Sequence, residues 1–147
     1  MTATPAPLTG PDAERLAAML ADTLCERTGM EVLALGAEGG TMTMPVEGNT
    51  QPFGLLHGGA TIALAESVAS LAAYLRAVEV HGEGAAAVGT NVSAVHHRSA
   101  REGTVTAVCT PQHLGRQVAT YAVEVRDEAG RLVSSVTVST MLLPPRA

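Results

Sequence analysis

Apolar residues recur at intervals of three and four between Pro11 and Arg27, at Leu16, Met19, Leu20 and Leu24. That period predicts an amphipathic helix, with Pro11 suited to its first turn and Gly29 to its stop. Two short strand-like runs follow, Glu31 to Leu35 and Thr41 to Val46, separated by the turn sequence Gly36-Ala-Glu-Gly-Gly40. A glycine- and proline-bearing loop from Glu47 to His57 leads into Gly58-Gly59 and a second helix, roughly Ala60 to Ala77. This helix is apolar nearly all round, which marks a helix enclosed by other structure. Beyond His81 to Gly84 the period changes to two, and strands are expected over Ala87 to Arg98, Gly103 to Pro111, Gln117 to Arg126 and Leu132 to Leu143. Asp127-Glu-Ala-Gly130 reads as a hairpin turn and His113-Leu-Gly-Arg116 as another turn. The order implies an α+β domain, an antiparallel sheet wrapped on one long central helix with a further helix at the N-terminus. Residues 1–10, rich in Pro, Thr and Ala, are expected to form a flexible arm, and 11–147 a single domain.

Composition narrows the chemistry. The 147 residues carry nine basic groups, all arginine, against fourteen acids, for a net charge of −5. With no lysine, Schiff-base and P-loop chemistry are excluded. An acidic chain whose only aromatics are Phe53, Tyr74 and Tyr121 is a poor nucleic-acid binder. The apolar stretch from Ala60 to Val80 is broken by Glu66, Ser67, Ser70, Arg76 and Glu79, so it reads as a core helix rather than a membrane span. The first residues show no secretory pattern and two cysteines make no disulfide framework, so a cytoplasmic protein is expected.

Glu66 is the only acid between Glu47 and Glu79, among the small apolar neighbours Leu64, Ala65, Val68 and Ala69. A carboxylate there either lies at a solvated edge, pairs with an arginine, or has a chemical task. Gly58-Gly59 before the same helix either makes a tight turn or exposes backbone N–H groups to a developing oxyanion. Gly58 and Glu66 are eight residues apart, about 12 Å along a helix axis. One carbonyl cannot easily touch both, so a shared site requires a second chain. Ser70, at i+4, lies on the face of Glu66. His96 and His97 leave a strand on opposite faces, and no metal-ligand spacing is present, so no metal is expected. Cys109 reads as a small buried hydrophobe. No GxSxG elbow exists.

The run Asn49-Thr-Gln51-Pro-Phe53-Gly-Leu-Leu-His57-Gly58-Gly59-Ala-Thr-Ile-Ala-Leu-Ala-Glu66-Ser resembles the signature of hotdog-fold acyl-CoA thioesterases of the PaaI type. The downstream His96-His-Arg98 and Gln112-His-Leu-Gly-Arg116 extend the likeness over roughly residues 30 to 143. Glutamate at 66, where many PaaI proteins have aspartate, places it nearest the branch of the enterobactin-proofreading and Arthrobacter-type 4-hydroxybenzoyl-CoA thioesterases. The resemblance implies hydrolysis of an aryl-type acyl-CoA, or of an acyl group on a carrier protein. Glu66 would be base or nucleophile, the Gly58 N–H would polarise the carbonyl, Gln51 would orient carbonyl or water, and His57 would support the loop and contact the substrate. Ser70, Phe53, Gly59 and Asn49 would contact substrate, and Arg98 and Arg116 the phosphates of coenzyme A. Coenzyme A would enter only as part of the substrate, with no cofactor. A homodimer with shared sites, assembling to a tetramer, is implied. A non-catalytic acyl-CoA-binding or sensing domain on the same fold is the alternative; a hydratase would want a His–Asp pair that Asp12, Asp22 and Asp127 do not offer.

Overall fold

A computed structural model describes residues 6–147, of residue 11 the backbone only. Two short helices, α1 (Gly10–Leu20) and α2 (Leu24–Arg27), precede strands β1 (Glu31–Gly36) and β2 (Gly39–Pro45). The long helix α3 (Gly58–His81) follows, then β3 (Ala86–His96), β4 (Thr104–Leu114), β5 (Val118–Arg126) and β6 (Leu132–Leu143). The six strands form one sheet in the order β1-β2-β4-β5-β6-β3, every neighbouring pair antiparallel. The sheet wraps α3, the α+β hotdog arrangement expected from the periodicity and the resemblance.

Alanine explains how closely the sheet can approach. The face of α3 turned to the strands carries Ala65, Ala69, Ala72, Ala73 and Ala77 with Leu64 and Val68, all fully buried. Small side chains bring helix and sheet together, and Met42, Met44, Val105, Val123, Val125 and Val138 fill the rest. Tyr121, the largest fully buried side chain, donates its hydroxyl to the Ala37 carbonyl at 2.9 Å. Burial pushes that phenol well above its usual range. Cys109 is 2% exposed and its thiol is pushed up to about 12 by burial, as a buried hydrophobe should be. By length and composition α3 could cross a bilayer, but its apolar face is occupied by the sheet.

Several boundaries differ from the sequence reading; β2 begins at Gly39, inside the expected turn, and β3 ends at His96, short of Arg98. The helix expected over Pro11–Arg27 is two helices, broken where Asp22 adopts φ +60° and donates its N–H to Glu26. Asp and Thr compete for backbone hydrogen bonds and so favour ends over helix interiors. The central helix runs further at both ends than Ala60–Ala77, from the His57 cap to a stop at Gly82, φ +88°. Strand β4 continues past Pro111 to Leu114, because a bulge between Pro111 and His113 accommodates the missing N–H; the turn is confined to 115–117. Of the arm expected over 1–10, residues 1–5 lie outside the described residues, Pro7 bridges to Ala34, and Gly10 already opens α1.

Candidate active site

The loop before α3 is tied down almost residue by residue. Asn49 accepts the His57 N–H and donates its own to Val46, while Leu56 N–H reaches the Ala100 carbonyl. The Asn49 side chain is buried and gives both amide hydrogens to backbone, to Thr28 at 2.7 Å and Pro45 at 2.8 Å. Both donors are thereby committed to the backbone, and the amide oxygen is the polar atom of Asn49 left for a substrate. The Gln51 side-chain oxygen accepts the Phe53 N–H. Its NH₂ group is thereby left without a partner, and Gln51 is among the residues that line a cavity.

His57 is the N-cap of α3, its Nδ1 accepting the Gly59 N–H at 2.8 Å. The cap ties the loop to the start of α3 and takes Gly59 out of the set of free donors. The Gly58 N–H has no partner among the described residues. It stands at the positive end of a 24-residue helix, where anionic oxygen is favoured. Gly58 borders a cavity of about 330 Å³ together with Gln51, Thr61, His96 and Arg98.

His96 is the residue that sequence reasoning passed over. A Cβ on Gly58 would lie 2.8 Å from His96 Nε2, so only glycine lets the imidazole approach. The other ring nitrogen, Nδ1, is 2.7 Å from the hydroxyl of fully buried Ser134, its cross-strand partner on β6. His97 takes the neighbouring Ser135 at 3.0 Å, so the two histidines do part to opposite faces.

Glu66 lies two turns along α3, half-buried, with no hydrogen bond or ion pair among the described residues. Its carboxylate rests on Gly89 of β3, and a Cβ there would collide with Oε1. Register slips by one residue between Gly89 and Asn91, a bulge of the kind that re-aims backbone near a site. Glu66 is not among the residues that line the Gly58 cavity, and the spacing along one helix is about 12 Å. Ser70 follows at i+4, half-buried on the same side.

The remaining candidates divide. Arg98 borders the Gly58 cavity. Phe53 stands at the loop tip, 83% exposed. Arg116 lies at the opposite end of α3, where its carbonyl meets His81 Nε2 at 2.7 Å. There it borders a separate cavity with His113 and Gln117, about 35 Å along the helix from Gly58. Within one chain, Arg98 and Arg116 therefore cannot grip one phosphate group.

Comparison with known proteins agrees with this geometry. The profile of the thioesterase superfamily matches residues 53–134. The proofreading thioesterase EntH of Cronobacter turicensis is 44% identical over 131 residues, covering 88% of this chain and 93% of that one. The 1,4-dihydroxy-2-naphthoyl-CoA hydrolase of Escherichia coli is 50% identical over 102 residues, 69% of this chain and 72% of the relative. A thioesterase structure from Haemophilus influenzae superposes with a TM-score of 0.83 at 33% identity, covering 94% of each chain. With a free helix-terminal N–H, a lone helix carboxylate and a sheet wrapped on that helix, the chain belongs to the thioesterase superfamily and is a hotdog-fold thioester hydrolase.

Proposed function

We propose that the enzyme hydrolyses an aryl-type acyl-CoA, such as a hydroxybenzoyl or phenylacetyl ester, to the free acid and coenzyme A. One observation carries the assignment of roles: the two unpartnered groups suited to the chemistry, the Gly58 N–H and the Glu66 carboxylate, are held on one helix about 12 Å apart. The Gly58 N–H binds the thioester carbonyl oxygen and stabilises the charge that develops on it. The free NH₂ of Gln51 orients the carbonyl or the water. Glu66 of a second protomer then completes the site, with Ser70 beside it. As base, Glu66 takes a proton from the attacking water. As nucleophile, it forms a mixed anhydride that water opens. Either way water's oxygen joins the acyl carbon, the C–S bond breaks, and the thiolate leaves to be protonated. Arg98, at the cavity edge, binds a phosphate of coenzyme A in this reading, and Arg116 of another protomer a second.

The edge strand β3 supports a dimer. It is eleven residues long, with Val88 and Val95 exposed at 45% and 57%, a surface that a lone sheet edge normally avoids. A second reading, an acyl group delivered on a carrier protein, draws on the likeness to a proofreading thioesterase.

The test is thiol release from a panel of aryl-CoA, fatty acyl-CoA and acyl-carrier-protein esters, with wild type and Glu66→Ala side by side. Wild type is expected to favour the aryl-CoA esters. Glu66→Ala is expected to lose about 10²–10⁴ in kcat with little change in KM, because the group acts in the transition state. A folded Glu66→Ala enzyme with native kcat removes Glu66 from the mechanism. Preference for the carrier-bound esters selects the second reading.

A further inference from the structure

Among the described residues four polar side chains are buried: Asn49, Thr61, Ser134 and Thr140. Three of them bond to backbone carbonyls, Asn49 to Thr28 and Pro45, Thr61 to His57, and Thr140 to Ala119. Ser134 alone bonds a side chain, the imidazole of His96. It shares the inner face of β6 with Val136 and Val138, so a hydroxyl stands where the strand otherwise carries valine. A buried hydroxyl in a valine row calls for a reason, and its partner here borders the Gly58 cavity.

The bond decides which ring nitrogen carries the proton. The Ser134 O–H meets one acceptor among the described residues, His96 Nδ1 at 2.7 Å. Were Nδ1–H to donate instead, the hydroxyl hydrogen would stay buried without an acceptor, the costlier arrangement. Nδ1 therefore accepts, and the proton of the neutral ring sits on Nε2. That nitrogen faces Gly58, where a Cβ would lie 2.8 Å from it. A Cβ stands about 2.5 Å from its own amide nitrogen, so His96 Nε2 and the Gly58 nitrogen are no more than about 5.3 Å apart. One oxygen at about 2.9 Å from each of two donors spans a gap of up to about 5.8 Å. We propose that His96 Nε2–H is a second donor to the thioester carbonyl oxygen, beside the Gly58 N–H, and that Ser134 is the positioning residue that aims it. This rests on the reading that Gly58 holds that carbonyl.

The need for positioning follows from where His96 stands. It ends the edge strand β3 and is exposed, and Ser134 is its one side-chain hydrogen-bond partner among the described residues. A donor held in place stabilises developing charge without having to be ordered in each turnover. Removing the Ser134 hydroxyl leaves no orphaned polar atom in the core, because the exposed imidazole can turn to water. A purely structural serine and a positioning serine therefore differ in kind: the second can be lost at little cost to the fold and at a measurable cost to turnover.

The experiment compares wild type, Ser134→Ala and His96→Leu by thiol release and thermal melts on two esters. One is the acyl-CoA that wild type cleaves best, the other the same acyl group on N-acetylcysteamine, which lacks the phosphates. His96→Leu is expected to lose about 10² in kcat, as a missing oxyanion donor does, by the same factor on both esters. Ser134→Ala is expected to lose about three- to tenfold in kcat on both, the worth of one hydrogen bond, with its melting temperature within a few degrees of wild type. A His96→Leu defect confined to KM for the CoA ester would assign His96 to the phosphates and overturn the proposal. Native kcat in folded Ser134→Ala overturns the positioning role. Should His96→Leu fail to fold, the losses of Ser134→Ala on the two esters decide by the same comparison. An arm that needs no turnover reads the ring nitrogens of ¹⁵N-histidine protein by NMR at about pH 8, above the usual imidazole range. Wild-type His96 should show one tautomer, Nε2–H, and Ser134→Ala a mixture; Nδ1–H in wild type, or identical signals from both proteins, overturns the proposal. A wild type that cleaves neither ester removes the proposed function instead, and the ring signals then still decide the role of Ser134.

Discussion

Gly89 shows how a residue with no side chain can be indispensable to one that has chemistry. The Glu66 carboxylate occupies the volume where a Cβ at 89 would stand, and no side chain holds it from elsewhere among the described residues. Gly89→Ala therefore has to displace the carboxylate, the strand, or both. Because the added methyl group meets only the end of the Glu66 side chain and no backbone, the fold tolerates it better than the site does. We expect Gly89→Ala to keep its melting temperature within a few degrees and to lose about 10² or more in kcat, the range of a misplaced reacting group. Thiol-release kinetics beside a thermal melt check this. Native kcat in the folded variant would show that Glu66 does not work from where it rests on β3. Gly58 has the same logic at the other end of the site, where His96 takes the space of a side chain.

Among the elements, α3 and the β5–β6 hairpin each depend on one local cap. His57 Nδ1 accepts the Gly59 N–H, so His57→Ala should cost about 1 kcal/mol of stability, as other lost N-caps do. Urea melts of the two proteins measure it, and an unchanged midpoint would deny the cap any stabilising role. In the hairpin, Asp127 accepts the N–H groups of Ala129 and Arg131 and the Arg131 guanidinium. The Arg131 backbone N–H foremost holds its carboxyl below the usual carboxylate range. A depressed folded pKa adds stability that is fully present above the unfolded value, about 3.9, and fades as pH falls through the folded one. Asp127→Asn should therefore be less stable than wild type at pH 7, and the gap should narrow below about pH 4. A pH-independent gap would assign the effect to shape instead of charge. Both caps are legible in the sequence in part: the Asp127-to-Gly130 turn by composition, the start of α3 by its double glycine. Local signals carry the order of strands and helices, and the i to i+8 spacing of Gly58 and Glu66. The break at Asp22 and the bulge at Pro111 are matters of single dihedral angles. The contacts of Gly89 with Glu66 and His96 with Gly58 join residues 23 and 38 apart, which no periodicity reports.

At the scale of the whole molecule, the separation along α3 sets the stoichiometry of the site. Gln51, Gly58, His96 and Arg98 meet around one cavity, whereas Glu66 and Ser70 lie two and three turns further on, toward β3. If Glu66 acts on the carbonyl held at Gly58 of another protomer, each active site takes its parts from two chains. Gln51→Ala and Glu66→Ala homodimers are then each damaged at both sites. A mixed dimer holds one site with both lesions and one with none. Random exchange makes about half of the dimers mixed, so about a quarter of the wild-type sites return under two-fold symmetry. The measurement is to co-refold equal amounts of the two variants, count mixed dimers by native mass spectrometry, and follow thioester turnover. Recovery to about a quarter of wild-type activity is the expected outcome. Abundant mixed dimers without recovery would confine the site to one chain, and Gly58 and Glu66 would then have to serve different steps or different ligands.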